Sequence, residues 1–575
     1  MRNILIGGAL LLIVACSRGG ADDAAAAGDG AVIYPAASVV TMAATDAVAS
    51  AVAVKDGRIL ATGTEAELTH ALPEASVDRT FEGMVIVPGL IDPHVHVMLG
   101  ALQYNLPLTP PWPMATPHGM RAGIGTREGF LAEVAAIEAS MAPGEPAVIY
   151  GYHNLVHGDL TRTDLDAIST TRPLVIWHYS SHDFYLNSAA IERAGFTPAL
   201  AEKFHGVDLD ENSELTGRIY EDAAIAVLGA FSDVMLAPEN VSAGFQGFSR
   251  MLREAGVTTT VEMGYGLFGW EMEDANIRDA QSAGYNLYLV PEYRALQRSF
   301  GEDRVQSVRD LVSGVRPAAA PVLPRVKFFT DGAFYSQTMR LSPPGYLSGQ
   351  SKGSEGLWVM KPDEIAPTIQ PYWDAGLGVN IHSNGDAAQG ATLMALKTLR
   401  NSGGDNSFTI EHGGLFSPHQ VEEAGRLKAN VSAASHYVYY MADTYADPLG
   451  QPRARWISPL GALTEAGVAV TVHSDAPLAP PEPLRAASVH ITRATREGGV
   501  YEETMALSPY EALESVTLDA ARAVGLEAEI GSIEVGKRAD FTILGANPLD
   551  VAGENWTGIP IWGVVLAGEK RPLED

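Results

Sequence analysis

The feature that most constrains this chain is a series of eight short apolar runs, most of them followed by a helix-like stretch. They are VIVPGLIDPHVH (85–96), VTTTVEM (257–263), YNLYLV (285–290), RVKFFTD (325–331), GVNIHS (378–383), FTIEHG (408–413), ANVSAAS (429–435) and VAVTVHSD (468–475). Successive positions are apolar, so neither face of such a strand is left for water. A parallel sheet covered by helices requires that. Eight buried strands alternating with helices predict an α/β fold, a (β/α)8 TIM barrel spanning 85–99 and 251–524.

The first and second runs are separated by far more chain than a β-to-α connection needs. This stretch has strand candidates of its own, AVIYGYH (147–153) and PLVIWHY (173–179), and a helix at SAAIERAG. Residues 100–250 are therefore expected to form a subdomain inserted after the first barrel strand, over the barrel mouth, where loops carry function. Short β-rich pieces lie at both ends, at 31–84, with Asp56-Gly57 as a hairpin turn, and at 525–575. Neither has enough strands to bury a face alone, which predicts one small β-sandwich assembled from both.

Residues 1–16 have a charged start, an apolar run too short to span a membrane, and a small residue before Cys16. Ile13-Val14-Ala15-Cys16 resembles a bacterial lipobox, which implies lipidation at Cys16 and an exported, periplasm-facing lipoprotein; Ser17 fits outer-membrane retention. Residues 17–30 are small and polar and serve as a tether. Cys16 is the single cysteine, so any metal site must be built from imidazole and carboxylate. A formal net charge of −30 argues against a nucleic-acid partner, and contact with a membrane is expected only through the lipid anchor. A small-molecule substrate is the expected partner, and a homo-oligomer is compatible with the sequence.

The histidines concentrate at the ends of the runs. His94 and His96 end the first, His382 the fifth and His412 the sixth, while Asp475 ends the eighth. Side chains alternate along a strand, so an HxH pair sends both imidazoles to one side. At the ends of barrel strands such groups can converge, and imidazoles with a carboxylate suit zinc or a similar divalent metal. Taken singly, each could be a polar residue capping its strand. The fourth run adds Lys327 and Asp331, of which Asp331 with Gly332 is expected to shape a turn.

PGLIDPHVH, KFFTDGA, IHSNGDAA, TIEHGG, HSDAP and GSIEVGKRAD together resemble the amidohydrolase superfamily, in the branch that includes N-substituted formamide deformylase. The resemblance implies His94, His96, His382, His412 and Asp475 as metal ligands. It also implies that Lys327, where carbamylated, bridges two ions; an unmodified ammonium has no lone pair to offer, and one ion would then be expected. A bound metal acidifies a water and polarises a carbonyl. Asp475 is then the general base that later delivers a proton to the leaving nitrogen, with His412 as a second catalytic candidate. Hydrolysis of a C–N bond in a non-peptide amide, N-formyl, N-acyl or cyclic amide compound follows. An amino-heterocycle deaminase and a non-catalytic binding module on the same scaffold are the alternatives.

His182, ahead of the Asn187-Ser188 pair, and Trp177, His436 and Tyr437 are candidates for lining a substrate pocket. Asn384 and Asp386 are expected to hold the loop after His382, and His473 to share the face of Asp475. His153, His157, His205, His419 and His490 have no strand-end placement. SAASHYVYY stands where the family more often has a Gln-Pro pair, which bears on the substrate rather than on the metal.

Overall fold

The computed structural model describes residues 30–43, 49–280 and 284–573. Cys16 and the tether up to residue 29 lie outside the described residues.

The eight apolar runs are eight strands. They are β1 (Leu90–Val95), β2 (Val257–Tyr265), β3 (Asn286–Pro291), β4 (Arg325–Phe329), β5 (Gly378–Ser383), β6 (Phe408–His412), β7 (Asn430–Ala434) and β8 (Val470–His473). All run parallel, in two ladders, β1-β2-β3 and β4 through β8 in chain order. Bridges Glu292↔Lys327 and Leu289↔Val322 join β3 to the β4 side, and Val95↔Ala476 joins β1 to the residues after β8. The His96 N–H donates to the Ala476 carbonyl at 2.9 Å across that second seam. Helices follow the strands, among them Pro362–Asp374, Asp386–Ser402 and Pro418–Arg426, and cover the sheet with Ile365, Leu396 and Val421.

One boundary differs from the sequence expectation. The run 85–96 is two strands, because Val85–Pro88 pairs with Phe541–Leu544 and with Ser38–Val39 in another sheet, and only Leu90–Val95 enters the parallel ladder. Gly89, at the break, lets β2 approach closely. A Cβ there would lie 2.1 Å from Thr258 Oγ1, where the next strand packs against the chain. The two chain ends form one continuous eight-stranded sheet. Val52, Phe81, Ile86, Phe541, Ile543 and Val565 fill its core.

The insertion has its own five-stranded sheet, ordered Val207–Leu209, Leu215–Tyr220, Asp183–Leu186, Leu174–His178, Ala147–Tyr152. Phe130, Ile149, Leu165 and Ile176 form a separate core beneath helices Arg127–Ser140 and Arg162–Ile168. Helix Pro238–Glu254, expected to fall mainly within the insertion, leads directly into β2 and shares the core of helix Val97–Gln103 through Phe245, Phe248 and Leu252. No helix among the described residues is long and apolar enough to cross a membrane.

Candidate metal centre

His94 and His96 leave β1 at its C-terminal end, and their Nε2 atoms face each other at 3.4 Å. Asp475 Oδ1 completes a triangle, 3.5 Å from His94 Nε2 and 3.4 Å from His96 Nε2. That oxygen is buried and makes no hydrogen bond. His412 lies on the other side of the carboxylate, its Nδ1 3.6 Å from Asp475 Oδ2. His412 and Asp475 both adopt left-handed backbone, with φ of 72° and 52°. Strain of this kind persists where surrounding structure enforces it, and it clusters at functional sites.

The back of each β1 imidazole is held by a carboxylate that sequence reasoning did not single out. His94 Nδ1 donates to Glu411 Oε2 at 2.7 Å, and His96 Nδ1 donates to Glu262 Oε1 at 3.2 Å. A proton on Nδ1 leaves the Nε2 lone pair free, the arrangement metal-ligating histidines adopt. Burial, reinforced by the nearby Lys327 charge, pushes His94 well below its ordinary range. His412 is displaced in the same direction, by burial and then by His382. Neutral imidazoles are what a cation needs as ligands. Burial raises the Asp475 carboxyl, against the pull of His96 and Lys327.

The predicted ligands do not all converge. His94, His96 and Asp475 bring their donor atoms within 4.8 Å of one another, and so do His94, His412 and His473. His473, expected only to share the Asp475 face, stacks on His94 at 4.5 Å between ring centroids and places Nε2 3.3 Å from His412 Nδ1. His382 joins neither group. Its Nε2 lies 3.1 Å from both the Gly332 carbonyl and the Asn384 amide nitrogen, which engages it with the loop after β4, although its ring is 4.5 Å from that of His412. Asp331 shapes that loop as expected, accepting from the N–H groups of Arg340, Asn384 and Gly385. Asp386 likewise holds it, accepting from the Ser342 N–H at 2.9 Å.

Lys327 is fully buried in β4 with an Nζ that makes no hydrogen bond. Burial brings its pKa down to about 8. An unpartnered amine and an unpartnered carboxylate oxygen in one buried cluster are costly alone. The donor set around them fits a divalent cation.

Among the substrate candidates, His182 lies beside His382, with ring centroids 6.1 Å apart, and donates from Nδ1 to Glu221 Oε2 at 2.9 Å. Glu221 Oε1 in turn accepts from Thr338 Oγ1 and the Ala333 N–H, tying the insertion to the loop after β4. His436 stacks on Tyr335 and shares a 2.5 Å hydrogen bond with its hydroxyl, while its Nε2 is buried without a partner. Tyr437 stacks on Phe334 at 4.1 Å. Trp177 is placed differently: it packs on Phe184 and donates to the Ser181 carbonyl, inside the insertion.

The amidohydrolase family model matches residues 81–570. Protein LONG AFTER FAR-RED 3 of Arabidopsis thaliana is 28% identical over 514 residues, covering 87% of this chain and 85% of that protein. N-substituted formamide deformylase of Arthrobacter pascens is 26% identical over 533 residues, covering 90% and 93%. The crystal structure of an uncharacterized metal-dependent hydrolase from Pyrococcus horikoshii has the same fold, with a TM-score of 0.67 over 91% of this chain and 99% of that one, at 21% identity. A family match across nearly all of the chain, over a histidine and carboxylate cluster at the strand ends, shows that the chain is a hydrolase belonging to the amidohydrolase family.

Proposed function

We propose that the chain hydrolyses a C–N bond of a small molecule, an N-formyl, N-acyl or cyclic amide, at a divalent metal held between β1 and the end of β8. The two ladders and their seam bridges support a closed (β/α)8 barrel with the site at its C-terminal face. The observation that carries the reading is the convergence of His94 Nε2, His96 Nε2 and Asp475 Oδ1, with each imidazole backed by a carboxylate. The similarity to a formamide deformylase supports the bond type.

A cation bound there supplies Lewis acidity, acidifying water and polarising a carbonyl. Asp475 takes the proton of the attacking water on a carboxylate oxygen and later gives it to the leaving nitrogen; burial, which raises this carboxyl, suits both roles. His182, held by Glu221, contacts the substrate from the insertion side, and His436 and Tyr437 from the segment after β7. Zinc suits the nitrogen and oxygen donors. Lys327 is buried with a lowered pKa, and only the neutral amine adds carbon dioxide, which supports carbamylation and a second ion.

The test is hydrolysis of a panel of N-formyl, N-acyl and cyclic amides by zinc-loaded protein, with acid, amine and ammonia measured separately. Release of an acid and an amine is expected. Ammonia as the nitrogen product would overturn amide hydrolysis in favour of deamination, and full activity in His94→Ala or Asp475→Asn would remove the assigned roles. The proposal extends to placement: Ile13-Val14-Ala15-Cys16 supports export and lipidation. Palmitate labelling that persists in Cys16→Ala would refute it.

A further inference from the structure

Below the cluster, four barrel strands contribute to one buried line of hydrogen bonds. Arg325, on β4, donates from Nε to Asn380 Oδ1 at 2.6 Å, and from Nη2 to the Val379 carbonyl at 3.2 Å and Thr409 Oγ1 at 3.1 Å. Asn380, on β5, donates from Nδ2 to Glu411 Oε1 at 2.5 Å. Glu411, on β6, accepts from His94 Nδ1 on β1 at 2.7 Å. Every one of these residues is at most 3% exposed.

The line has a direction, and one member sets it. A guanidinium has donors only, whereas an amide has a donor end and an acceptor end. Arg325 therefore holds Oδ1 of Asn380 on its own side, which leaves Nδ2 to face Glu411. The carboxylate, an acceptor on both oxygens, is held through Oε1 by the amide and so is positioned with Oε2 against the His94 Nδ1 proton. If the amide turned over, its oxygen would face the Glu411 carboxylate and its nitrogen the guanidinium, two repulsive contacts in a site without water to relieve them.

We propose that Arg325 and Asn380 are positioning residues that fix the orientation of Glu411, which in turn holds His94 by its Nδ1 and keeps its Nε2 lone pair turned toward His96 and Asp475. This rests on the reading of that cluster as a metal site. Neither residue touches the cation or the substrate. Their loss is expected to weaken metal binding before it changes any chemistry.

The experiment is a zinc titration of metal-stripped full-length protein against a chelating dye, for wild type, Asn380→Leu, Arg325→Met, Arg325→Lys and the Leu/Met double variant. Unfolding of each metal-free protein is followed in parallel. Losing a partner behind a metal ligand costs about 10- to 100-fold in affinity. Asn380→Leu is expected to lose at least about 10-fold. Arg325→Met should lose less, and Arg325→Lys, which keeps one donor for Oδ1, should recover part of that loss. The double variant should bind no more weakly than Asn380→Leu alone, since the guanidinium acts through the amide.

Single variants that bind zinc as tightly as wild type, or losses that multiply in the double variant, overturn the proposal. Where Arg325→Met does not fold, Asn380→Leu and Arg325→Lys carry the same comparison. Wild-type protein that takes up no zinc overturns the metal site itself and this proposal with it; tight binding in wild type and all variants overturns only the positioning role.

Discussion

Glu262 offers a sharp test, because one buried carboxylate serves two separable purposes. Its Oε1 holds His96 Nδ1, while its Oε2 accepts from the Val97 N–H at 2.7 Å and the Met98 N–H at 3.4 Å, at the start of helix Val97–Gln103. In Glu262→Leu the two backbone donors and the imidazole N–H lose their acceptor inside the protein. Each orphaned buried donor costs about 1 to 3 kcal/mol, so the two backbone groups alone should lower stability by roughly 2 to 6 kcal/mol. The metal-free protein reports that loss in urea, since no ligation contributes to it. The imidazole part appears separately, as a zinc affinity lower by about 10- to 100-fold. Glu262→Gln keeps one acceptor oxygen, and should retain either most of the stability or most of the affinity, not both. A Glu262→Leu protein within about 0.5 kcal/mol of wild type and with unchanged zinc affinity would refute the assignment of both roles.

Three further outcomes follow from the same geometry. Burial raises Glu221, but the His182 charge and the hydrogen bonds of His182, Thr338 and Ala333 outweigh it, so it ionises at about 2 instead of 4.5. A depressed carboxylate stabilises the fold above its unfolded value, by roughly 3 kcal/mol here, and the contribution fades as pH falls from about 4.5 toward 2. The stability gap between wild type and Glu221→Gln should close over that window, and a gap independent of pH would contradict the ion pair. Gly385→Ala would place a Cβ 1.8 Å from the Arg340 carbonyl oxygen, so it should displace the loop that holds His382 and cost about 1 to 3 kcal/mol, read by thermal unfolding; an unperturbed variant would show that the loop yields freely. Stripping divalent ions with a chelator should abolish hydrolysis and lower the unfolding temperature, with zinc restoring both; activity that survives complete stripping would rule out the metal.

The eight parallel strands were legible because a strand buried on both faces must be apolar at every position, and that leaves a mark in any single sequence. The split at Gly89 was not, since the two halves run on without a gap and what separates them is their pairing with different sheets. His94 and His96 could be found from their spacing. Glu411 and Glu262 could not, because their meaning depends on which strands lie beside β1, and a glutamate within an apolar run is the only local sign of them. Strand alternation also misleads at the end of β6. Neighbouring residues should point to opposite sides, yet Glu411 and His412 both reach the cluster, since a φ of 72° at His412 turns its imidazole back. His382 ends its strand as the other candidate ligands do, and only the structure shows its Nε2 3.1 Å from the Gly332 carbonyl in the loop after β4. Trp177 belongs to a strand whose alternate side chains fill the insertion, which a lone aromatic residue does not reveal.

Gly89 gives the terminal sheet a standing that its place at the chain ends would not suggest. One residue separates Val85–Pro88, clamped between segments from both termini, from the strand that carries His94 and His96. No linker stands between them to absorb a displacement. Phe541–Leu544, from the C-terminal part of the chain, thus grip the same short rod whose far tip presents the imidazoles. Residues 541–544 must be made before that rod is seated from both sides, so a product truncated before residue 541 would carry every candidate ligand in its sequence and still lack the clamp that aligns the first two.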